Sequence, residues 1–543
     1  MGSKRVGIGR RRWLLCLAMM VVVGLLGINA GVGAAGAPTH VPSRVDAGLA
    51  IAGARAVATE SNRTGAHRAS RTRERKVRLD RDLEVRVLSV RNASGYTPWQ
   101  GLSCNATNPG TTDTLAVAEP DIAVNPRNPD DQVAAWIDLY RDNIDTAYTQ
   151  DGGRHWYRAI PMGLNDCSGL SPSNPAIEGA ADPSLSFSPQ GNVYLSSLED
   201  ENGFLPPTSN YTEWTDAQSS SDGGATWSAP VVVRTPPMAD DKDMVLADQK
   251  RPGYVYVVYR NTGFGLVPGP RGEGQLLLSR STDGGQTFTT TVLQDTGSTT
   301  AAPVDSQLSE TRDGTLVYTF NDADGNLTAM SSTDAGSTWS APVQVAPPIT
   351  SPNPTVCGEP LATRSDGGHD AVLNGGTVVA ARVDNGPNGT GPGNVELSKS
   401  SDGGRTWTTS TVLTTPRPIL EAEIAANPRG QLGLAYYSFD PNHVTCSGTA
   451  AVIPATTLVR VSNDAGNTWS DPQVIGAPSW NIASGGVQNF IFAYWVGEYF
   501  GMAGTSHGFA AATVQGTPIS AGPPTAPITG LNSIVVGEVL SAK

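Results

Sequence analysis

The chain has 543 residues, with 37 Lys and Arg against 50 Asp and Glu. Residues 1–91 carry 17 basic and 6 acidic side chains, so the remaining chain carries 20 basic and 44 acidic ones. A body with that acidic excess repels nucleic acid and anionic lipid, and we exclude both as expected partners.

The N-terminus has the pattern of an export signal. Arg10–Arg12 precede an apolar run at 13–28, and small residues follow up to Ala37. This run is short for a membrane span, which needs about 20 residues. We therefore predict a cleaved signal peptide over 1–37, with a retained anchor as the alternative. The protein is then secreted or held at the cell surface, without membrane insertion after cleavage.

Residues 38–80 separate this signal from the rest of the chain. They are rich in Ala, Arg, Ser and Thr and end in a basic run. Such a composition is typical of a solvated linker, and attachment to a cell wall or a polyanion is the alternative. We predict a basic low-complexity linker over 38–80 and a folded domain over 81–543.

The folded domain contains one eight-residue pattern six times. A representative copy is SSDGGATW (220–227), and each copy lies between two short runs of strand-forming residues, which predicts strand, tight turn, strand. A catalytic loop is needed once, whereas recurrence about every 60 residues is typical of a propeller or solenoid. We expect each aspartate to accept backbone N–H bonds across its turn and each aromatic residue to be buried. The six aspartates are Asp151, Asp222, Asp283, Asp334, Asp402 and Asp464.

This pattern resembles the Asp-box, or BNR, repeat of the sialidase superfamily of β-propellers. The resemblance covers about residues 115–475. It implies an all-β propeller in which each box joins the third and fourth strands of a blade, on the face away from the active site. The resemblance therefore gives the six boxes a structural role.

A second recurring unit allows the blades to be counted. Each box is preceded by an acidic residue, a short apolar strand, a turn and a strongly apolar strand, and a seventh copy at 497–514 has no box. The runs at 533–540 and 83–90 supply two more strands, and pairing of the two chain ends would close the ring without an exposed edge. We predict seven four-stranded blades, with six as the alternative because most sialidase-like enzymes have six.

The innermost strands are expected to bring one acidic residue per blade to the mouth of the central channel. Like charges in a narrow ring either raise one another's pKa or hold a cation. We therefore consider calcium at Asp243 and Asp305, although no cofactor is expected to be required. In the alternative, each acid caps strand N–H groups at the corner of its blade. The ring residues are Asp121, Asp182, Asp243, Asp305, Glu359, Glu423 and Glu498.

The resemblance also implies site residues. Sialidases bind the sialate carboxylate with three arginines, use a Tyr/Glu pair as nucleophile and use an aspartate as acid/base. The matching catalytic residues here are Asp182, Glu423 and Tyr499. The arginines near the ends of second strands are Arg141, Arg260 and Arg382; in the alternative, each forms a salt bridge with the acidic ring.

These assignments predict a monomeric, sialidase-like glycoside hydrolase, exo-acting on a glycan or glycoconjugate. The alternative is a non-catalytic surface propeller that binds a glycan or a protein. One departure favours the alternative: the family's RIP-type motif, which carries the first arginine, is missing. The similar YRAIP (157–161) follows the first box instead.

Four cysteines remain after loss of Cys16 with the signal, and an even number in an exported chain indicates two disulfides. All four are expected on the ligand-binding face, in two pairs from adjacent blades. A disulfide needs Cα atoms within about 7 Å, which neighbouring blades can offer. We predict the pairs Cys104–Cys167 and Cys357–Cys446.

Overall fold

A computed structural model describes most of the folded domain. The described residues are 83–95, 117–139, 143–164, 177–201, 212–234, 240–261, 274–296, 304–349, 351–361, 369–447, 450–484, 494–519 and 532–542. The predicted signal and linker, Arg141, Cys104 and Cys167 lie outside them. Within these ranges, no helix has the length and apolar character needed to cross a membrane.

The described strands form seven antiparallel blades, which confirms the predicted all-β propeller. The first described strand, β1 (Glu84–Asn92), belongs to the last blade. Blade 1 contains β2 (Val117–Val124), β3 (Gln132–Asp138), β4 (Asn143–Thr149) and β5 (Tyr157–Ala159). Blade 2 contains β6 (Ile177–Phe187), β7 (Val193–Glu201), β8 (Thr212–Ser220) and β9 (Val231–Val232). Blade 3 contains β10 (Asp240–Ala247), β11 (Val255–Asn261), β12 (Gln275–Ser281) and β13 (Thr289–Asp295).

The remaining blades repeat this order, and two small hairpins are inserted between their strands. Blade 4 contains β14 (Val304–Glu310), β15 (Leu316–Asn321), β16 (Leu327–Ser332) and β17 (Val343–Ala346). One inserted hairpin, β18 (Thr355–Val356) and β19 (Glu359–Pro360), precedes blade 5. Blade 5 contains β20 (His369–Val372), β21 (Val378–Asp384), β22 (Asn394–Ser400) and β23 (Thr408–Thr414).

Blade 6 carries the second inserted hairpin, β26 (Thr445–Ser447) and β27 (Ala450–Val452). Its sheet contains β24 (Ile419–Ala426), β25 (Leu432–Phe439), β28 (Pro454–Ser462) and β29 (Gln473–Val474), and β30 (Trp480–Asn481) also pairs with β28. Blade 7 contains β31 (Gly501–Gly504), β32 (Gly508–Gln515) and β33 (Ser533–Ala542).

The ring is closed by strands from both ends of the folded domain. β1 is the outermost strand of blade 7 and pairs with β33, from Glu84 opposite Ala542 to Asn92 opposite Val535. The seventh blade and its closing strands agree with the sequence-based prediction. Since the N-terminal strand fills the place of a fourth strand, blade 7 needs no turn of the repeated type between its third and fourth strands.

The core lies between neighbouring blades. The second strands show why a strict in–out alternation is absent from the sequence: every residue is buried in β3 (QVAAWID), β15 (LVYTFN) and β25 (LGLAYYSF). Blades pack against both faces of these strands, so both sets of side chains must be apolar or internally bonded. Each large apolar side chain buried in this way contributes about 1.5–3 kcal/mol.

The six boxes form closely similar turns. In the second copy, Asp222 Oδ1 accepts from the Thr226 N–H at 2.9 Å and from Ser220 Oγ at 2.8 Å, and Oδ2 accepts from Thr226 Oγ1 at 2.6 Å. Each of the other aspartates likewise accepts the N–H of the residue four positions later. Hydrogen bonds from the threonine and serine hydroxyls lower the pKa of Asp283 to about 2.

Each box also contacts the preceding blade. A Cβ on Gly224 would lie 2.6 Å from Val133 Cγ2, and Trp227 Nε1 donates to Thr146 Oγ1 at 3.3 Å. The Gly152 N–H donates to the carbonyl of Asp130, which lies in the turn between β2 and β3. The boxes therefore lie at the end of each blade where the innermost strand finishes, opposite the end where it begins.

Two-residue bulges interrupt five of the innermost strands. In blade 1 the pairing shifts between Ala118 and Asp121, and blades 2, 3, 4 and 6 shift at the corresponding places. The first bulged residues of blades 1–3 have left-handed backbones: φ is 50° at Glu119, 50° at Asp182 and 55° at Lys242. Such conformations are strained for residues with a Cβ and redirect their side chains.

One member of the predicted acidic ring lies elsewhere. Glu359 is in β19 of the inserted hairpin, and the innermost strand of blade 5 starts ten residues later, at His369. The hairpin has the same order of acidic and apolar residues as an inner strand, which explains why the sequence wrongly placed Glu359 in the ring. Asp370 is the acidic residue that β20 supplies.

The predicted disulfide between Cys357 and Cys446 is confirmed. It joins the turn of the β18–β19 hairpin to β26, with Cα atoms 5.4 Å apart. The two inserted hairpins are thereby linked across blades 5 and 6.

Candidate functional site

A cavity of about 350 Å³ lies at the centre of the ring, and residues from the innermost part of all seven blades line it. Its volume is at the lower end of the range for small-ligand sites. Many of the described side chains that line it are charged or polar. Its charged and phenolic members are Asp121, Asp182, Lys242, Asp243, His369, Asp370, Glu423, Glu498 and Tyr499.

Lys242 lies among three carboxylates from three other blades. Its Nζ contacts Glu498 Oε2 and is 3.8 Å from both Glu119 Oε1 and Asp182 Oδ2. Burial opposes the charge of Lys242, but the surrounding carboxylates, Glu498 foremost, outweigh it and raise the lysine's pKa well above its usual value. We call these four residues the lysine cluster; its lysine is a charged ammonium.

Glu119 and Asp182 form a carboxyl pair within this cluster. Burial raises the pKa of Glu119 well above its usual range, and the neighbouring charge of Asp182 adds to the effect. Burial also raises the pKa of Asp182. The hydrogen bond between the two favours the proton on Glu119, so the pair can both release and accept a proton.

Tyr499 lies beside the lysine cluster. Its ring centroid is 5.9 Å from Lys242 Nζ, and its hydroxyl donates to the carbonyl of Pro183 at 3.3 Å. Burial, and then the charges of Glu119 and Asp182, raise the pKa of Tyr499 well above its usual value. The phenol therefore keeps its proton unless a neighbouring base removes it.

A second acid–base group is formed by adjacent blades 5 and 6. His369 Nδ1 lies 2.5 Å from Glu423 Oε2, and both side chains are largely buried. We call these two residues the histidine pair. An imidazole in contact with a carboxylate can donate or accept a proton.

Two aspartates beside the histidine pair have raised pKa values. Burial raises the pKa of Asp121 to about 6, although it accepts N–H bonds from Leu185 and Ile122 at 2.7 Å each. Burial raises the pKa of Asp370 to about 8, with Thr319 Oγ1 donating to it at 2.8 Å. Both carboxyls are thus protonated in mildly acidic solution, where ordinary aspartates are charged.

The structure places the three predicted catalytic residues around one cavity. Asp182, Glu423 and Tyr499 all line it. Glu423 contacts His369, however, whereas Tyr499 lies next to the lysine cluster. Of the two predicted metal ligands, Asp243 lines the cavity and burial raises its pKa; Asp305 is in β14, and its side chain lies outside the described ones.

Each of the two described arginines of the predicted triad pairs with a carboxylate of its own blade. Arg260 donates through Nε to Asp241 Oδ2 at 2.8 Å, and Arg382 donates to Glu396 Oε2 at 3.0 Å. Each is a cross-strand pair, and neither arginine is among the residues lining the cavity. In the described part of the chain, no three His, Cys, Asp or Glu side chains are arranged to hold a metal ion.

Sequence reasoning missed four residues of this site: Glu119, Lys242, His369 and Asp370. Glu119 and Lys242 each lie within two positions of a predicted ring residue, in the segments AEPD and DDKD. A two-residue bulge brings more than one side chain of each segment toward the channel. Treating every charged residue of these segments as a candidate would have found both.

No known protein family and no curated protein matches this chain. Among solved structures, the leech intramolecular trans-sialidase with 2,7-anhydro-Neu5Ac is 14% identical, over 60% of this chain and 65% of the leech chain, with a TM-score of 0.40. The intramolecular trans-sialidase of Ruminococcus gnavus is 14% identical over 59% and 90%, with a TM-score of 0.38. A Dyadobacter fermentans protein of unknown function is 12% identical over 84% and 99%, with a TM-score of 0.41. Similarity at this level assigns neither an activity nor a residue role to this chain.

Proposed function

We propose that this protein is an exported, monomeric glycoside hydrolase of sialidase-like fold, with its active site in the central cavity. One observation carries the proposal: Asp182, Glu423 and Tyr499 line a single cavity that also contains protonated carboxyls. Glycoside cleavage needs an acid that still holds its proton and a group that attacks or stabilises the sugar cation. Buried carboxyls with raised pKa values supply the first requirement.

The geometry supports a division of roles. Tyr499 is the nucleophile: its oxygen bonds to the anomeric carbon as the bond to the leaving group breaks. Its proton passes to the Glu119–Asp182 pair, the carboxyls whose charges act most strongly on it. The carboxyl of Asp121, which holds its proton beside the histidine pair, gives that proton to the departing oxygen. Water then attacks the anomeric carbon and returns a proton to Asp121, while the bond to Tyr499 breaks and the Glu119–Asp182 pair returns the proton of the phenol.

A panel of aryl glycosides, sialosides included, tests the proposal with the purified protein. We expect hydrolysis of at least one glycoside in both EDTA and calcium, since no step uses a metal. Hydrolysis should be fastest in mildly acidic solution, where Asp121, with a pKa of about 6, still holds its proton. Absence of turnover on every glycoside would contradict the proposal.

The second candidate is a non-catalytic glycan- or protein-binding propeller at the cell surface. The binding of Arg260 to Asp241 and of Arg382 to Glu396 favours it, because these guanidiniums are already paired and would have to exchange partners to hold a substrate carboxylate. A glycan array separates the two candidates. Tight binding to a glycan that is never cleaved would support the binding protein.

A further inference from the structure

Lys242 occupies the place that a metal ion would take in an acidic ring. Its Nζ is enclosed by oxygens of Glu119, Asp182 and Glu498, which come from blades 1, 2 and 7, whereas the lysine comes from blade 3. Only 16% of the Lys242 side chain is exposed. Four blades therefore meet at one buried cation.

The same kind of backbone bulge positions three of these four residues. Glu119, Asp182 and Lys242 are the first bulged residues of their strands, with φ between 50° and 55°. Three equivalent positions thus point toward one place, two with carboxylates and one with an ammonium. The lysine holds together carboxylates that would otherwise repel one another.

These carboxylates have oxygens to spare. Asp182 Oδ2 is buried and accepts no hydrogen bond from an N–H or hydroxyl group of the described residues, and its nearest described cation is the ammonium at 3.8 Å. Calcium binds six to eight oxygens at about 2.3–2.6 Å. Three carboxylates can offer six oxygens, and those at 3.8 Å would have to close in by about 1.3 Å.

We infer that the Lys242 ammonium takes the place of a divalent cation in the lysine cluster, so that the three carboxylates hold a metal ion only when the ammonium is removed and they close in on the vacated position. The wild-type protein therefore needs no metal at this position. Removal of the ammonium leaves three carboxylates that bind Ca²⁺ or Tb³⁺ in its place. The inference does not depend on the proposed hydrolase activity, since its test measures metal binding.

Lys242→Met tests this directly, because methionine keeps most of the side chain's length and removes its charge. Tb³⁺ bound in place of the ammonium would lie about 6 Å from the Tyr499 ring, close enough for the phenol to sensitise its luminescence. We expect saturable, calcium-displaceable Tb³⁺ luminescence in Lys242→Met and at least tenfold weaker binding in wild type. Lys242→Met should also melt at least 2 °C higher in 5 mM CaCl₂ than in EDTA, whereas wild type should show no difference.

Three variants serve as controls. Lys250→Met removes an exposed lysine from the same blade and should behave as wild type. Lys242→Met/Tyr499→Phe should keep the calcium-dependent melting and lose most of the luminescence. Lys242→Met/Glu498→Gln should bind Ca²⁺ at least tenfold more weakly.

Two results would overturn the inference. One is a folded Lys242→Met protein whose melting temperature does not change with Ca²⁺ and which gives no saturable Tb³⁺ luminescence. The other is a Lys242→Met protein that refolds in neither calcium nor EDTA, since calcium should restore the missing charge. Refolding in calcium alone would support the inference as strongly as direct binding.

Discussion

The carboxylate of Glu119 accepts a hydrogen bond from the backbone N–H of Glu498 at 3.0 Å, although 379 residues separate the two. This bond joins the inner strand of blade 1 to the segment that enters blade 7. It therefore acts where the ring closes, and it holds Glu498 and the following Tyr499 against the cavity.

Gly497 makes this contact sterically possible, so Gly497→Ala should disrupt it. Gly497 has φ of 113°, and a Cβ there would lie 2.7 Å from Glu119 Cγ and 2.8 Å from the Glu119 nitrogen. We expect Gly497→Ala to lower the free energy of unfolding by about 1–3 kcal/mol, measured by urea denaturation. The matched control is Gly375→Ala, whose Cβ meets nothing within 4 Å; equal effects of the two variants would argue against a closure contact.

The box aspartates are predicted to stabilise the fold without taking part in chemistry. Asp222→Ala removes the acceptor of three hydrogen bonds in the turn after β8 and should lower the free energy of unfolding by about 1–3 kcal/mol. Asp324→Ala changes an exposed turn aspartate outside the boxes and should have little effect. Activity or ligand affinity per folded molecule should be the same in both variants. A large loss in Asp222→Ala at unchanged melting temperature would give the box a functional role instead.

Stability should fall as pH rises from about 5 to 8. A buried carboxyl with a raised pKa keeps its proton in the folded state after the unfolded chain has lost it. The unfolding free energy therefore decreases between the unfolded and the folded pKa. The folded pKa is about 6 for Asp121, about 7 for Asp240 and about 8 for Asp370. Urea midpoints at pH 5, 6.5 and 8 measure this slope.

Asp370→Asn should flatten that slope above pH 6, because the amide cannot ionise. The exposed Asp324→Asn is its control and should leave the slope unchanged. At the acidic end the sign reverses: the pKa of Asp283 is about 2 in the fold, so its stabilising effect is lost as pH falls from about 4 to 2. A midpoint that is constant from pH 5 to 8 would contradict the assignment of protonated channel carboxyls.

The disulfides can be tested by non-reducing peptide mapping. We expect a Cys357–Cys446 peptide, as the structure shows, and a Cys104–Cys167 peptide from the remaining prediction. The serine double variant of Cys357 and Cys446 should lose about 2–4 kcal/mol of stability, because its unfolded chain is no longer constrained. Two free thiols at Cys104 and Cys167 would show that the second pairing is wrong.

The sequence predicted the blades well because their signals are local. Each box fits within eight residues, and the seventh blade could be recognised from an inner-strand unit that lacked a box. The site was only partly predictable. Which of Asp241, Lys242 and Asp243 faces the channel depends on a bulge, and the bulge is defined by pairing with β11. The contact of Glu119 with Glu498 depends on ring closure, which no local pattern encodes.

His369 was missed for a different reason. An inserted hairpin with the acidic and apolar order of an inner strand lies ahead of β20. Its Glu359 was therefore predicted as the ring residue of blade 5. His369 had no pattern of its own, since its partner Glu423 lies in the next blade. Only the packing of two blades brings them together.

The most direct test of an active site built around Tyr499 is the turnover number of Tyr499→Phe on the aryl glycoside that the wild type cleaves fastest. Loss of the nucleophilic hydroxyl should lower kcat by about 100-fold or more, while the melting temperature changes little because one hydrogen bond to Pro183 is lost. Tyr259→Phe is the control, since it removes another buried hydroxyl, one bonded to Ser279 and outside the cavity lining. A Tyr499→Phe enzyme within threefold of the wild-type kcat would contradict an active site built around Tyr499.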